Sequence, residues 1–192
     1  MKKIGTHNSG TGEKVANLLS WLLIPFCRTQ GKTISEQYEA GARMFDIRIR
    51  KHGYMGTWHL CHGLFVTKKT FHELIFELEL LKEPTYVMVT YEGRFKSETE
   101  KSLFLHCINS YKRETRKVQW GPVCVKYVDG DIVPDCAVLA QPDCDWPRNR
   151  QGFLPLDGHS WHTYLPLPWL WKKLYHNKPE LNEEEYTWVD FL

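Results

Sequence analysis

Ala42-Arg43-Met44-Phe45-Asp46-Ile47-Arg48-Ile49-Arg50 is the stretch that decides the fold. Phe45, Ile47 and Ile49 alternate with Asp46, Arg48 and Arg50, the two-residue period of a strand with one apolar and one charged face. Asp46 and Arg48, two positions apart, lie on the same side of that strand.

Upstream, residues 2–6 read as a short first strand running into Gly5-Thr6-His7-Asn8-Ser9-Gly10-Thr11-Gly12, a turn-forming run that carries one imidazole. Glu13 to Phe26 is expected to be a helix ended by the Pro25 break. Thr33-Ile34-Ser35-Glu36-Gln37 sets a hydroxyl three residues before Glu36, a helix N-terminus signature, and Gly41 stops that helix.

Downstream, Trp58 to His62 is a third short strand closed by Gly63. Phe71 to Leu81 carries Leu74, Ile75, Leu78 and Leu81 at helical spacing and is followed by Pro84. Tyr86 to Tyr91 is a near-continuous apolar, β-branched run, typical of a strand covered on both faces, with Glu92 at its end. Ser97 to Tyr111 reads as a helix, 123–128 and 136–140 as strands, 142–168 as proline-rich loops, 167–175 as a short helix, and 186–192 as a final strand. Strands alternating with helices predict a parallel α/β arrangement, and a compact, irregular TIM-type barrel is one way to bury every strand. With 192 residues against about 250 in a typical barrel, some outer helices must be reduced to loops. Residues 1–192 are expected to form a single domain and a monomer.

Composition narrows the function. A formal charge of +2, from 25 basic and 23 acidic residues, gives no electrostatic reason to expect nucleic acid as a partner. Six cysteines with no Cys-x-x-Cys pair argue against a zinc ribbon or a thioredoxin-type site. They are expected to be free thiols in a reducing compartment, which makes the expected location cytoplasmic or peripheral to a membrane, with secretion left open. The longest apolar stretch, Val15 to Phe26, contains Asn17 and Ser20 and falls short of the roughly 18 residues that a spanning helix needs.

The polar residues that need explaining sit at the C-terminal ends of the expected strands: His7 after the first, Asp46 and Arg48 on the second, His62 on the third, Glu92 on the fourth. Parallel barrels build their active sites at that rim. If the last strand closes beside the first, Asp190 comes next to His7 and supplies a carboxylate for one imidazole nitrogen while the other works. Two histidines flanking an arginine are what cleavage of a phosphodiester by an internal hydroxyl requires: a base for the attacker, an acid for the leaving oxygen and a fixed cation for the phosphoryl charge.

His7-Asn8-Ser9-Gly10-Thr11, Trp21, Thr29-Gln30, Ile34-Ser35-Glu36-Gln37, Gly41 to Arg48, and Leu60-Cys61-His62-Gly63 resemble the catalytic X region of the phosphatidylinositol-specific phospholipase C family in its bacterial single-domain form. The resemblance covers residues 4–92, and Trp188-Val189-Asp190-Phe191 is similar to the family's last barrel strand. It implies a distorted TIM-type barrel in which His7 is the general base on the inositol 2-hydroxyl and His62 the general acid for the diacylglycerol oxygen. It further implies that Asp190 orients His7, that Arg48 binds the non-bridging phosphate oxygens, and that Asp46 holds Arg48 or an inositol hydroxyl. The implied products are diacylglycerol and a cyclic inositol phosphate.

The chain departs from the family's pattern at several positions. Metal-free bacterial members carry Asp after the first histidine and Lys at the position of Glu92, whereas Asn8 and Glu92 are what calcium-dependent members present as ligands. A calcium-dependent alternative would therefore use Asn8, Asp46 and Glu92, but Arg48 in the same cluster repels a divalent cation, so no metal cofactor is expected. Otherwise Asn8, Glu92 and Arg94 are assigned to substrate binding. Gln141 stands where the bacterial family has a head-group arginine; Arg94, Arg148 and Arg150 are candidate substitutes, with exposed loop charge the favoured reading of each. The expected partner is a phospholipid surface met through Trp21, Trp169 and Trp171; loop and core packing is the competing reading of those aromatics. A non-catalytic phosphoinositide-binding module is a further alternative.

Overall fold

The computed structural model describes residues 4–53, 56–125, 127–128, 131–132 and 187–189. Strand β1 (Ile4–Thr6) leads into a 3-10 turn at Ser9–Gly12. Two short helices follow, α1 (Leu18–Leu22) and α2 (Ile24–Cys27), then α3 (Ile34–Glu39) and the long strand β2 (Ala42–His52). A hairpin of β3 (Thr57–His62) and β4 (Phe65–Thr70) precedes α4 (Phe71–Leu80), β5 (Thr85–Tyr91) and α5 (Glu98–Glu114). The remaining described elements are β6 (Val118–Val125), the two-residue strands β7 (Tyr127–Val128) and β8 (Asp131–Ile132), and β9 (Thr187–Val189).

The architecture is mixed α/β around a seven-stranded sheet. β9, β1, β2, β5 and β6 are parallel neighbours in that order. Closure of this arc into a barrel is not seen among the described residues. The expected strand at Trp58–His62 forms, but it is antiparallel to β2, with Thr57 opposite His52 and Leu60 opposite Ile49. The turn that reverses the chain uses Gly53 and Gly56 at φ 74 and 61, a backbone conformation only glycine adopts without strain. β4 completes the hairpin.

Both faces of β2 are buried, including Asp46 at 0% and Arg48 at 5% exposure. One face, Phe45, Ile47 and Ile49, joins Val87, Val89 and Tyr91 of β5 against α4 and α5 residues such as Leu74, Leu78, Phe104 and Ile108. Each such side chain contributes roughly 1.5–3 kcal/mol on burial. The alternation therefore turns Met44, Asp46 and Arg48, with Met88 and Thr90 of β5 and Glu92 just beyond it, to the opposite side, where they too are buried. The charged face read from the sequence looks into the protein, not into solvent.

The helix expected over Glu13–Phe26 is replaced by shorter pieces. Val15 bridges Thr67 of β4, and α1 starts only at Asn17, whose side chain accepts from the Ser20 N–H at 2.8 Å. Pro25 sits in the first turn of α2, where its missing N–H costs nothing, so it opens a helix and does not end one. Capping boxes at Thr33/Glu36 and Thr70/Glu73 fix the starts of α3 and α4. Cys27 and Cys107 are free thiols, but Cys124 is disulfide-bonded, a correction to the free-thiol expectation; spacing alone cannot name pairs, because pairing is set by the fold. Among the described residues no helix is long and apolar enough to cross a membrane.

Candidate active site

Arg48 is the centre of the site. Its Nη1 donates to Glu92 Oε1 at 3.0 Å, its Nε and Nη2 reach Asp46 Oδ2 at 3.3 Å, and Nη2 lies 3.3 Å from His7 Nε2. A guanidinium only donates, so His7 Nε2 accepts in that contact. Parallel strands align the group: in the register Arg48 is opposite Thr90, two residues before Glu92.

His7 follows β1, and its backbone is held from behind. Its carbonyl accepts from Thr29 Oγ1 at 3.2 Å and Gln30 Nε2 at 3.0 Å, while the N–H groups of Thr29 and Gln30 donate to Thr11 Oγ1. Asn8 adopts left-handed φ 47, which Asn tolerates better than most residues. Its N–H donates to Asp46 Oδ2 at 3.1 Å, so Asp46 positions both the turn after His7 and Arg48. The Asn8 amide is 3.5 Å from His7 Nδ1, and Asn8 Oδ1 is buried with no hydrogen-bond partner among the described residues. The motif Thr29-Gln30 is visible in the sequence, but only the fold reveals that it supports His7.

His62 reaches the same rim by a route the sequence did not indicate. β2 overshoots the rim to His52 and β3 comes back along it, so the end of the antiparallel strand returns to the level of Arg48. Its Nδ1 is 2.8 Å from the Cys27 carbonyl; a carbonyl only accepts, so the ring proton is on Nδ1 and Nε2 is left with its lone pair. Burial, with the positive charge of Arg48 next and the neighbouring His7 the last and smallest influence, pushes the imidazole down to about 4 despite the opposing pull of Glu92 and the Cys27 carbonyl. At neutral pH His62 is therefore uncharged.

Of the residues expected to bind substrate, Asn8 and Glu92 are buried in this cluster, whereas Arg94 is exposed in the loop after β5. Glu92 Oε2 is bonded to the Gly63 N–H and lies 3.8 Å from Cys61 Sγ. Asn8, Asp46 and Glu92, the alternative calcium ligands, do converge, but the Arg48 guanidinium stands between the two carboxylates and is bonded to both. A divalent cation would have to displace it, so these residues do not fit calcium. Thr6 pairs with Val189 in β9; Asp190 itself, like Gln141, Arg148, Arg150, Trp169 and Trp171, lies outside the described residues.

Beside the site, α1 is inverted. Its buried residue is Ser20, whose Oγ accepts from the Val66 N–H at 2.9 Å, while Leu18, Leu19, Trp21, Leu22 and, on α2, Phe26 are 52–71% exposed. Leu64, next to the His62-Gly63 turn, is 62% exposed. No charged residue occurs between Lys14 and Arg28. Core packing, the competing reading of Trp21, does not hold.

No protein-family model and no curated protein matches the chain. A solved structure similar to part of it is a phosphatidylinositol-specific phospholipase C from Listeria monocytogenes, at 19% identity and a TM-score of 0.44. The similarity covers 59% of this chain and 40% of that one, so the chain spans well under half the length of the protein it resembles. A likeness of that extent establishes neither the fold nor the activity of this chain.

Proposed function

We propose that the chain is a metal-free phosphodiesterase of the lyase type, acting on phosphatidylinositol or a related phospholipid. The observation that carries this reading is Arg48, buried and fixed by two carboxylates, 3.3 Å from one imidazole and close enough to depress the other. A binding module has no use for two imidazoles about one fixed cation, whereas transfer of a phosphoryl group to an internal hydroxyl needs all three.

His7 takes the proton of a head-group hydroxyl as its oxygen attacks phosphorus. The bond from phosphorus to the diacylglycerol oxygen breaks, that oxygen receives a proton from His62, and phosphorus remains in a cyclic phosphodiester. Arg48 binds the non-bridging oxygens, Asp46 holds Arg48 and the turn after His7, and Asp190 orients His7. The parallel order of β9, β1, β2, β5 and β6 supports reading the sheet as an arc of an irregular TIM-type barrel with its site at the strand C-termini.

Charge sets a condition on this chemistry. Asp46 and Glu92 outweigh Arg48 by one negative charge, and His62 rests neutral. A general acid must carry its proton, so the entering phosphodiester anion has to draw one onto His62 by favouring its charged form. The exposed apolar ridge of α1, α2 and Leu64 supports a lipid surface as the source of substrate.

Phosphorus NMR of a phosphatidylinositol vesicle digest, with and without chelator, tests the reading. A cyclic phosphodiester signal that is insensitive to chelator and lost in His7→Ala and His62→Ala is expected. No cyclic product from folded protein, or product formation indifferent to both substitutions, overturns it.

A further inference from the structure

We infer that Glu92 is a positioning residue that ties the phosphate-binding Arg48 to the turn carrying His62, so that one carboxylate sets clamp and acid in register; this rests on the phosphodiesterase reading above. Oε1 accepts from Arg48 Nη1 at 3.0 Å. Oε2 accepts from the Gly63 N–H, the peptide immediately after His62, with Cys61 Sγ 3.8 Å away. Both oxygens are thus engaged by the protein itself, and the side chain is only 1% exposed. That burial leaves little of the carboxylate open to direct contact with substrate.

The turn depends on such ties because packing does not hold it. Gly63 is left-handed at φ 60, a Cβ placed on it would find nothing within 4 Å, and Leu64 beyond it is 62% exposed. What restrains it is polar. Glu92 grips the Gly63 N–H, Arg50 Nη1 donates to the Gly63 carbonyl at 2.7 Å, and His62 Nδ1 donates to the Cys27 carbonyl at 2.8 Å. Glu92 in turn is fixed by its own N–H on the Ile49 carbonyl at 2.8 Å. Arg50 grips the same glycine from the other side and is the second member of the clamp. A misplacement of about 1 Å in a catalytic group costs on the order of a hundredfold in rate, so the tie is a kinetic device.

Glu92→Gln keeps the shape but cannot accept from both Arg48 and Gly63. It is expected to lower kcat on vesicles by 10- to 100-fold with KM changed less than threefold. Arg50→Gln, at a half-buried position, is expected to give a smaller fall in kcat of the same kind, which keeps the idea testable if the buried variant fails to fold. A rise in KM at unchanged kcat would identify Glu92 as a substrate contact and overturn the proposal, as would unchanged kcat in both variants. Imidazole NMR of the unliganded variants reads the tie without turnover: His62 ring signals are expected to shift while those of the distant His106 stay fixed. If wild-type protein turns over nothing, the phosphodiesterase reading fails, and the NMR arm still decides whether Glu92 positions His62; unmoved His62 signals reject the tie.

Discussion

At the scale of single residues, His62 links stability to acidity. Its folded pKa of about 4 lies below the ordinary value near 6.5. Above about pH 6.5 the folded and unfolded chains both hold it neutral and it has no effect. As pH falls toward 4 the unfolded chain takes up a proton that the folded chain refuses, and stability is lost by roughly 3 kcal/mol before the two states titrate together again. His62→Gln, which cannot titrate, is expected to remove that part of the acid sensitivity; urea midpoints at pH 7 and pH 4.5 measure it, and an unchanged slope with pH in the variant counts against the half-buried, neutral imidazole. Arg48 acts in the opposite sense, as the partner whose loss strands charges. Arg48→Met leaves Asp46 and Glu92 buried together, so a destabilisation of about 3–5 kcal/mol is expected. Urea unfolding at pH 7 reads it directly. Arg48→Lys keeps the charge but not the planar fork that reaches both carboxylates, and is expected to recover only part of the loss.

At the scale of elements, α4 shows how local signals specify structure. Its Thr70/Glu73 capping box and its buried Phe71, Leu74, Ile75 and Leu78 agree, and Thr70→Ala is expected to cost about 1 kcal/mol by thermal or urea unfolding, without effect on the distant site. This helix and β2 were legible as elements from their periodicity, and β5 because a continuous apolar run marks a strand covered on both faces. His7, His62 and Glu92 stood out because each ends or directly follows a strand, and Asp46 and Arg48 because two positions apart on β2 they share one face. The direction of β3 was not. Trp58–His62 has the same composition whichever way the strand runs, and the signal lay in the flanking Gly53 and Gly56, whose left-handed backbone closes a hairpin. Phe65-Val66-Thr67-Lys68-Lys69-Thr70 has few apolar positions and no strict alternation, so its pairing with β3 carries no signal of its own in the sequence. The stretch after Gly12 misled in the other direction. Its apolar run suggests one helix with a core face, whereas the buried position is Ser20 and the leucines face outward, an inversion that no periodicity rule anticipates.

At the scale of the whole molecule, that inversion joins two surfaces. The ridge of Leu18, Leu19, Trp21, Leu22 and Phe26 continues through Cys27, whose carbonyl holds His62, so the apolar edge and the proposed active site share one segment of chain. Exposed side chains contribute little to folding, and removing them is expected to change stability by no more than about 0.5 kcal/mol. Their effect should instead depend on how substrate is presented. Full burial of a large apolar side chain such as Leu is worth roughly 1.5–3 kcal/mol, so half-burial of two of them is worth about 1.5–3 kcal/mol together, tenfold or more in affinity for a surface. Trp21→Ala combined with Leu22→Ser is therefore expected to lower turnover on phosphatidylinositol vesicles at least tenfold, while turnover of a soluble, short-chain phosphodiester stays within twofold of the parent. Measuring both substrates on the same preparation separates the two surfaces: equal loss on both would mean that the ridge serves to hold His62 through α2, and loss on neither would mean that substrate does not arrive from a lipid surface.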